Sequence, residues 1–302
     1  MVGIDVGGTL IKAAVAGPDG AIHRRFRTST GISGGEAFTS ALGDVAERLC
    51  AETAADGYPA QAVGIAVPGI VDHVAGVARY AANLDWKDAP VAASVERRVG
   101  LPVVLGHDGR AAAAAEAVAG AARGVDDFLF VALGTGVAGA VTYKGRAWHG
   151  HSWLAGEIGH VVVDPSGDRC NCGNCGCLET FAGSPALVRR YHAATGASLE
   201  PSRILRLATD GDEAARRVVE AAIAALGQAV AAVQTLLDLE LVVVGGGLVS
   251  ADAGLLGALE TALTARLPYQ TIPKVVPAEL GADAGAIGAA LLARHRLAGE
   301  EW

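Results

Sequence analysis

The chain has 302 residues, of which 51% are hydrophobic, and a formal net charge of -8 at pH 7. That length and apolar content can bury one large core or two modest ones. The acidic balance and the lack of Lys or Arg clusters argue against nucleic acid or an anionic membrane as partner, so a small solute is expected. No secretory signal and no long uncharged apolar run is visible, which predicts a soluble cytoplasmic protein.

Strand and helix patterns alternate along the chain and predict an α/β fold. In chain order, strands are predicted at 2–6, 11–16, 21–27, 62–67, 102–105, 128–133 and 239–244, and helices at 36–53, 108–123, 184–191, 212–236 and 284–297. The runs at 62–67 and 102–105 are uniformly apolar, as buried parallel strands are. Functional loops are therefore expected at their carboxyl ends.

One strand-turn-strand pattern occurs twice. An apolar strand meets a glycine turn that contains a threonine and returns as another strand, at Asp5–Thr9 and again at Leu133–Gly139. This repetition predicts a duplicated strand-hairpin core. We expect two lobes that share a cleft, the first formed by 1–110 and the C-terminal helix 285–302, the second by 111–284.

The glycine turns have the chemistry of a nucleotide site. Glycine lets backbone amides approach phosphate oxygens, Thr9 offers a hydroxyl, and Asp5 can hold hydrated Mg²⁺. Tight hairpins or glycine packing remain the alternative for each turn alone. The spacing matches neither a Walker loop nor a Rossmann fingerprint. The residues predicted to bind ATP are Asp5, Gly7, Gly8, Thr9, Lys12, Thr135, Gly136, Gly245, Gly246 and Gly247.

Four of the five cysteines fall within eight residues, a clustering that indicates a metal site more than a disulfide framework. Cys170, Cys172 and Cys177, with His160 ten residues earlier, fit a tetrahedral zinc site. A closed set of four ligands leaves no position for water, so the Zn²⁺ is predicted to be structural. A redox pair of Cys172 and Cys175 is the alternative.

Asp108 follows a buried strand and begins an Ala-rich helix. Phosphoryl transfer to an alcohol needs a carboxylate that accepts the hydroxyl proton, and the helix dipole would keep Asp108 ionised for that role. Local sequence alone favours the simpler alternative, in which Asp108 is an N-cap.

Several motifs together resemble the ROK family of repressors and sugar kinases. They are Asp5-Val-Gly-Gly-Thr9 with Lys12, Val67-Pro-Gly69, Asn83-Leu-Asp-Trp86, Gly156-Glu-Ile-Gly-His160 and Cys170-Asn-Cys-Gly-Asn-Cys-Gly-Cys177-Leu-Glu179. The resemblance implies a two-lobe actin-like ATPase fold of the ribonuclease H-like type with a zinc-stabilised loop. It also implies a homodimer or higher homo-oligomer, and it treats Cys175 as a variable position. Because only four residues precede Asp5, the DNA-binding domain of family repressors is not expected.

The resemblance also assigns roles to residues. It makes Asp108 the catalytic base. It places the sugar hydroxyls on Gly69, Asn83, His107, Asp108, Glu157, His160 and Glu179. One departure concerns the neighbours of the base, because the family has Asn where this chain has His107 and Arg110. A shifted sugar preference is therefore expected.

The sequence predicts an ATP-dependent hexose kinase, with glucose as the first candidate substrate. Alternatives within the class are kinases of N-acetylmannosamine, N-acetylglucosamine, fructose or allose. Two alternatives belong to other classes. One is a sugar-sensing regulator that has lost catalysis, and the other is an actin-like structural ATPase, which would not need a zinc loop.

Overall fold

The computed structural model of the protein describes residues 1–7, 10–17, 21–29, 35–81, 84–251 and 254–300. The strands are β1 (Val2–Val6), β2 (Leu10–Ala16), β3 (Ile22–Ser29), β4 (Val63–Val67), β5 (Ile70–Asp72), β6 (Val77–Ala81), β7 (Trp86–Ala89), β8 (Val103–His107), β9 (Phe128–Leu133), β10 (Val137–Tyr143), β11 (Arg146–Ala147), β12 (Leu241–Gly245) and β13 (Lys274–Pro277). The helices are α1 (Gly35–Ala55), α2 (Val91–Val99), α3 (Asp108–Ala119), α4 (Glu179–Ala182), α5 (Ser184–Thr195), α6 (Pro201–Thr209), α7 (Glu213–Leu237), α8 (Gly247–Ala251), α9 (Gly254–Thr264) and α10 (Ala284–Ala298).

The fold is mixed α/β and divides into two compact units. Unit 1 comprises Met1–Ala119, Arg146–Ala155 and Ala282–Trp302, and unit 2 comprises Gly120–Gly145 and Gly156–Gly281. Unit 1 is therefore assembled from three separate stretches of chain, the last of which contains α10.

The main sheet of unit 1 has the strand order β3-β2-β1-β4-β8. β1 and β2 form an antiparallel hairpin in which Asp5 lies opposite Lys12, while β1, β4 and β8 run parallel. The three parallel strands are almost wholly buried and apolar, as a sheet covered on both faces requires. Their carboxyl ends meet at one edge, which brings the segments after Asp5, Val67 and His107 to the same side of the sheet.

Helix α10 covers one face of this sheet at very short range. A side chain on Gly3 of β1 or on Gly64 of β4 would overlap the backbone of α10, at Ala286 and Ala289 respectively. Gly106 of β8 similarly makes room for Leu292. Glycine on three parallel strands thus leaves a shallow groove in the sheet, and the helix backbone lies in it.

A second, small sheet of unit 1 has the order β5-β6-β7 and was not predicted from the sequence. Its strands are three to five residues long, too short for a clear alternation of apolar and polar positions. Trp86 of β7 is buried against Phe38 of α1, with the ring centroids 5.1 Å apart, and its indole N–H donates to the carbonyl of Gly35 (3.0 Å). These contacts join the small sheet to α1.

Unit 2 contains the second hairpin core. β9 and β10 pair antiparallel, and β9 pairs parallel with β12, which pairs parallel with β13. A hairpin flanked by parallel strands is the arrangement that β2, β1, β4 and β8 adopt in unit 1. The duplicated strand-hairpin pattern of the sequence therefore corresponds to two sheets of like topology.

Helix α7 is the longest element of unit 2. The carboxylate of Asp212 caps its N-terminus by accepting a bond from the amide of Ala215 (2.7 Å), and Asp238 ends it in a left-handed conformation. Among the described residues α7 is the one helix long and apolar enough to cross a membrane, and more than half of that stretch is buried. Such burial is typical of a core helix.

Some predicted boundaries differ from the structure. The helix predicted to end at Arg123 ends at Ala119, because Gly120 interrupts it and a turn follows. The elements α2, α6, α8, α9 and β13, each four to eleven residues long, were not predicted from the sequence.

Substitution of Gly64 by Ala is expected to destabilise the protein strongly. The added methyl group would overlap the Ala289 carbonyl, and overpacking against backbone costs about 1–3 kcal/mol or more. Thermal unfolding followed by circular dichroism should show a lower Tm. Gly257→Ala, within α9 and facing open space, is the matched control and should keep or slightly raise Tm. Equal melting of the two variants would contradict the close packing of α10.

Candidate functional site

Two carboxylates lie at the carboxyl edge of the unit 1 sheet. Asp5 is the penultimate residue of β1, and Asp108 is the first residue of α3, directly after β8. Burial raises the pKa of Asp5 to about 7, and the nearby charge of Asp108 adds to that rise. The Nζ atom of Lys12, 3.7 Å from Asp5 Oδ2, opposes it. A buried carboxylate of this kind favours a cation as neighbour.

Asp108 is oriented by its own chain segment. Its Oδ1 atom accepts a hydrogen bond from the amide of Gly109 (2.6 Å) and lies 3.4 Å from Nε2 of His107. The bond goes to the next residue, whereas an N-cap side chain bonds the amide two or three residues on. Asp108 is partly exposed, so its carboxylate is open to an incoming hydroxyl.

The two residues that depart from the family pattern are both buried. His107 accepts a bond at Nδ1 from the amide of Arg110 (3.4 Å), and Arg110 donates from Nη1 to the carbonyl of Trp153 (3.2 Å). The sequence marked Arg110 as unusual but did not indicate Trp153. Trp153 has a left-handed φ of 60°, a property that can be seen in the structure but not in the sequence.

The other predicted residues of unit 1 occupy turns. The amide of Gly7, directly after β1, donates to the carbonyl of Leu10 at the start of β2 (2.9 Å). Gly69 follows β4 at φ +90°, and a side chain there would overlap the carbonyl of Tyr80. The predicted residues Gly8, Thr9 and Asn83 lie outside the described residues.

In unit 2 the turn that holds Thr135 and Gly136 is bonded to Glu179. The amide of Gly134 donates to the carbonyl of Gly136 (3.0 Å), and Oε2 of Glu179 accepts from the amide of Val137 (3.0 Å). A side chain at Gly136 would crowd the Glu179 carboxylate. The structure therefore brings together the glycine turn predicted for phosphate and an acidic residue predicted for sugar.

The three late glycines differ from one another. Gly245 ends β12, and Gly246 at φ +94° lies directly on the backbone of Leu133. Gly247 faces open space at the start of α8. Gly246 thus has the packing role that the sequence left open as an alternative, while Gly247 leaves room for a ligand.

His160 and three cysteines of unit 2 converge on one point. Their candidate ligand atoms all lie within 4.8 Å of one another. Cys172 Sγ and Cys177 Sγ are 3.5 Å apart, and Cys170 Sγ is 3.6 Å from His160 Nδ1. Ligands about 2.3 Å from a tetrahedral zinc ion would be roughly 3.7 Å apart, so the four residues fit the ion in type and spacing.

Cys175 stands apart from this cluster. Its side chain is exposed, and it does not belong to the group of atoms that converge. The loop is held by backbone bonds such as Cys170 N to Asn174 O (2.8 Å) and by Asp168, which pairs with Arg189 and Arg190 of α5. Each Arg also donates to the carbonyl of Thr180.

A short 3-10 helix (Ile158–His160) positions the two remaining predicted residues. Glu157 precedes it and His160 ends it, both partly buried. Gly159 lets this helix lie against β10, since a side chain there would overlap the carbonyl of Val137. His160 directs Nδ1 towards Cys170, which leaves Nε2 for a different partner.

The chain matches known proteins along almost its whole length. The model of the ROK family matches residues 1–296. A glucokinase of Thermotoga maritima is 33% identical over 99% of this chain and 98% of its own length. An N-acetylmannosamine kinase of Escherichia fergusonii is 34% identical over 96% and 97%. The crystal structure of a ROK family glucokinase from Streptomyces griseus, in complex with glucose and AMPPNP, superposes with TM-score 0.85 and 33% identity, covering 98% and 99%.

Stability should fall as the pH rises through the titration of Asp5. Its pKa is raised from 3.8 to about 7 by burial, so the folded state holds a proton that the unfolded state has lost. The free energy of unfolding of the metal-free protein is therefore expected to decrease between about pH 4 and pH 7, by the order of 4 kcal/mol.

Asp5→Asn removes this titration, and its unfolding free energy should change less over the same range. Urea denaturation at several pH values measures the difference, with the exposed Asp85→Asn as control. A wild-type stability that rises from pH 4 to pH 7 relative to Asp5→Asn would contradict the raised pKa.

Proposed function

We propose that this chain, which belongs to the ROK family, is an ATP-dependent sugar kinase that phosphorylates a hexose hydroxyl, most simply that of glucose. The observation that carries the proposal is the placement of Asp108 beside Asp5 at the carboxyl edge of the sheet. Asp5 is the less exposed carboxylate, at 13%, and is suited to a cation, whereas Asp108, at 29%, is suited to accept a proton. The whole-chain similarity to glucokinases supports the same reaction.

Asp108 is proposed to act as the general base. The Gly109 amide holds Oδ1, which leaves Oδ2 to accept the proton of the attacking hydroxyl as its oxygen bonds to phosphorus. The proton passes from the sugar oxygen to the carboxylate, and ADP leaves with the bonding electrons of the broken P–O bond. Removal of a well-placed base costs about 10² to 10⁴ in rate.

Asp5 and Lys12 are proposed to serve the nucleotide. Bound Mg²⁺ supplies positive charge that offsets the charge of the ATP phosphates. Asp5 would hold the hydrated ion from the end of β1, and a cation there lowers the cost of ionising this carboxylate. Lys12 on the neighbouring strand adds a charge that a phosphate can share.

Unit 2 is proposed to contribute further nucleotide contacts through its glycine turns. Thr135 and Gly136 offer a hydroxyl and an unobstructed backbone, while Gly247 offers open space at the start of α8. Glu157, His160 and Glu179 are proposed to bind sugar hydroxyls, as are Gly69 and Asn83 in unit 1. The Nε2 atom of His160 suits this role because Nδ1 faces the cysteines.

His107 and Arg110 are proposed to shift the sugar preference. An imidazole and a guanidinium replace two neutral amides beside the base, and both are buried. The similarity to an N-acetylmannosamine kinase keeps that substrate as the second candidate. A catalytically silent sugar sensor remains the alternative from another class, and turnover separates it from a kinase.

A coupled assay for ADP release across a panel of hexoses and N-acetylhexosamines tests the function. Wild type is expected to turn over at least one sugar with ATP and Mg²⁺, and Asp108→Asn to lose about 10² to 10⁴ of the rate. Sugar-dependent ADP release at near-full rate in Asp108→Asn would show that the base is assigned wrongly. Binding without turnover would favour the sensor.

The same panel in His107→Asn serves as the control for selectivity. This variant restores the amide of the family pattern beside an unchanged Asp108. Its ratio of kcat/KM values among the sugars is expected to move, because His107 lies 3.4 Å from the base. An identical profile would remove His107 from the determinants of specificity.

We propose that His160, Cys170, Cys172 and Cys177 hold a structural zinc ion. The converging ligand atoms support this, and the ion would fix the loop that leads into Glu179. A closed set of four protein ligands gives the metal no part in the chemical step. The cytoplasm as location and a homodimer or higher homo-oligomer as assembly are proposed from the family alone.

Cys172→Ser is expected to lose zinc and melt at a lower temperature. Wild type should contain about one zinc per chain by atomic absorption, and loss of one thiolate weakens such a site greatly. Cys175→Ser is the matched control, because this exposed thiol lies outside the cluster. It should keep both metal and Tm. A metal-free protein with full activity and stability would contradict the structural role.

A further inference from the structure

His107 occupies the N-cap position of α3, because that helix begins at Asp108. Its ring fills the role of a cap, since Nδ1 accepts a hydrogen bond from the amide of Arg110, three residues further on (3.4 Å). Ser, Thr, Asp, Asn and Gly are the usual residues at such a position, and histidine is not among them. Local sequence favoured Asp108 as the cap of this helix, and the structure gives the capping bond to His107.

The capping bond determines which nitrogen of the His107 ring carries hydrogen. An amide N–H can donate only to an unprotonated nitrogen, so Nδ1 is the acceptor and the neutral ring has its hydrogen on Nε2. Nε2 lies 3.4 Å from Oδ1 of Asp108. The ring therefore offers an N–H group to the proposed base.

The surroundings of His107 leave its ring little freedom to move. His107 is the last residue of β8, where it pairs with Val67 of β4, and its side chain is 5% exposed. Oδ1 of Asp108 also accepts the amide of Gly109 at 2.6 Å. One oxygen of this carboxylate thus lies near two N–H groups, and Oδ2 is the oxygen left for the substrate.

We propose that His107 is a positioning residue, whose Nε2–H holds Oδ1 of Asp108 and so fixes the direction in which Oδ2 meets the sugar hydroxyl. The contact is long for a hydrogen bond, and bonds between catalytic groups often shorten when substrate is bound. A base acts efficiently only when it is aimed at the attacking hydroxyl, so a fixed carboxylate raises kcat. The inference rests on the proposed function of Asp108, and it gives His107 its effect on the sugar through the base.

The kinetic test compares His107→Ser with His107→Ala in the full chain. Both variants remove the bulk of the ring, but serine still caps α3 and has no second polar atom that could reach Asp108. We expect kcat to fall about tenfold in both variants, with KM for sugar and for ATP within about twofold of wild type. The Tm of His107→Ala is expected to lie about 2–4 °C below that of His107→Ser, because alanine also removes the cap. His151→Ser, on an exposed histidine, is the control and should match wild type.

A role in capping alone gives a different pattern. The rate would then follow the stability of α3, so His107→Ser would keep the kcat of wild type while His107→Ala would lose it. That result overturns the inference and leaves the kinase assignment standing. A rise in sugar KM with unchanged kcat in both variants overturns it as well, since the ring would then contact the sugar directly.

Nitrogen NMR of protein labelled in histidine provides a second readout that needs no turnover. At about pH 8, where imidazole is ordinarily neutral, His107 should show an unprotonated Nδ1 and a protonated Nε2, and its signals are identified by their loss in His107→Ser. The reverse tautomer overturns the inference while the kinase activity stands. A wild type that phosphorylates no sugar overturns the proposed function and the positioning role together, even with the tautomer as expected.

Discussion

The close approach of α10 to the main sheet is the constraint on which unit 1 depends. Gly3, Gly64 and Gly106 remove side chains from three neighbouring parallel strands, so a helix backbone can lie where side chains would normally separate the layers. Seven of the ten buried residues of α10 are Ala or Gly, which lets the helix fit the groove. Sheet and helix therefore form a rigid support, and the loops at the carboxyl ends of the strands project from it.

The electrostatics of the site follow from this support. Close packing leaves Asp5 only 13% exposed, and this loss of hydration is the main reason its pKa rises to about 7. Asp108, which follows β8, is partly exposed and keeps access to solvent. The two carboxylates thus differ in environment, as their proposed roles of cation ligand and proton acceptor require.

Periodicity and motifs predicted the hairpin cores, the parallel strands and the residues at their ends, because these features repeat locally in the sequence. The cysteine cluster could also be predicted, since its candidate ligands lie close together in the sequence. The hydrogen bond from Arg110 to the Trp153 carbonyl could not be predicted, because the two residues are 43 positions apart in sequence. Trp153 stands out only by its left-handed φ. The small sheet of β5, β6 and β7 was missed for a different reason, as its strands are too short for a period.

The position of Gly285 in α10 has a consequence for the biogenesis of the protein. Its Cα faces Asp5, and a side chain there would collide with that carboxylate. A residue near the end of the chain therefore completes the surroundings of a residue near its beginning. During synthesis on the ribosome, unit 1 stays unfinished until the last helix has emerged, whereas unit 2 is encoded by a stretch that is released earlier. In the nascent chain, Asp5 therefore acquires its folded surroundings only after α10 has been synthesised.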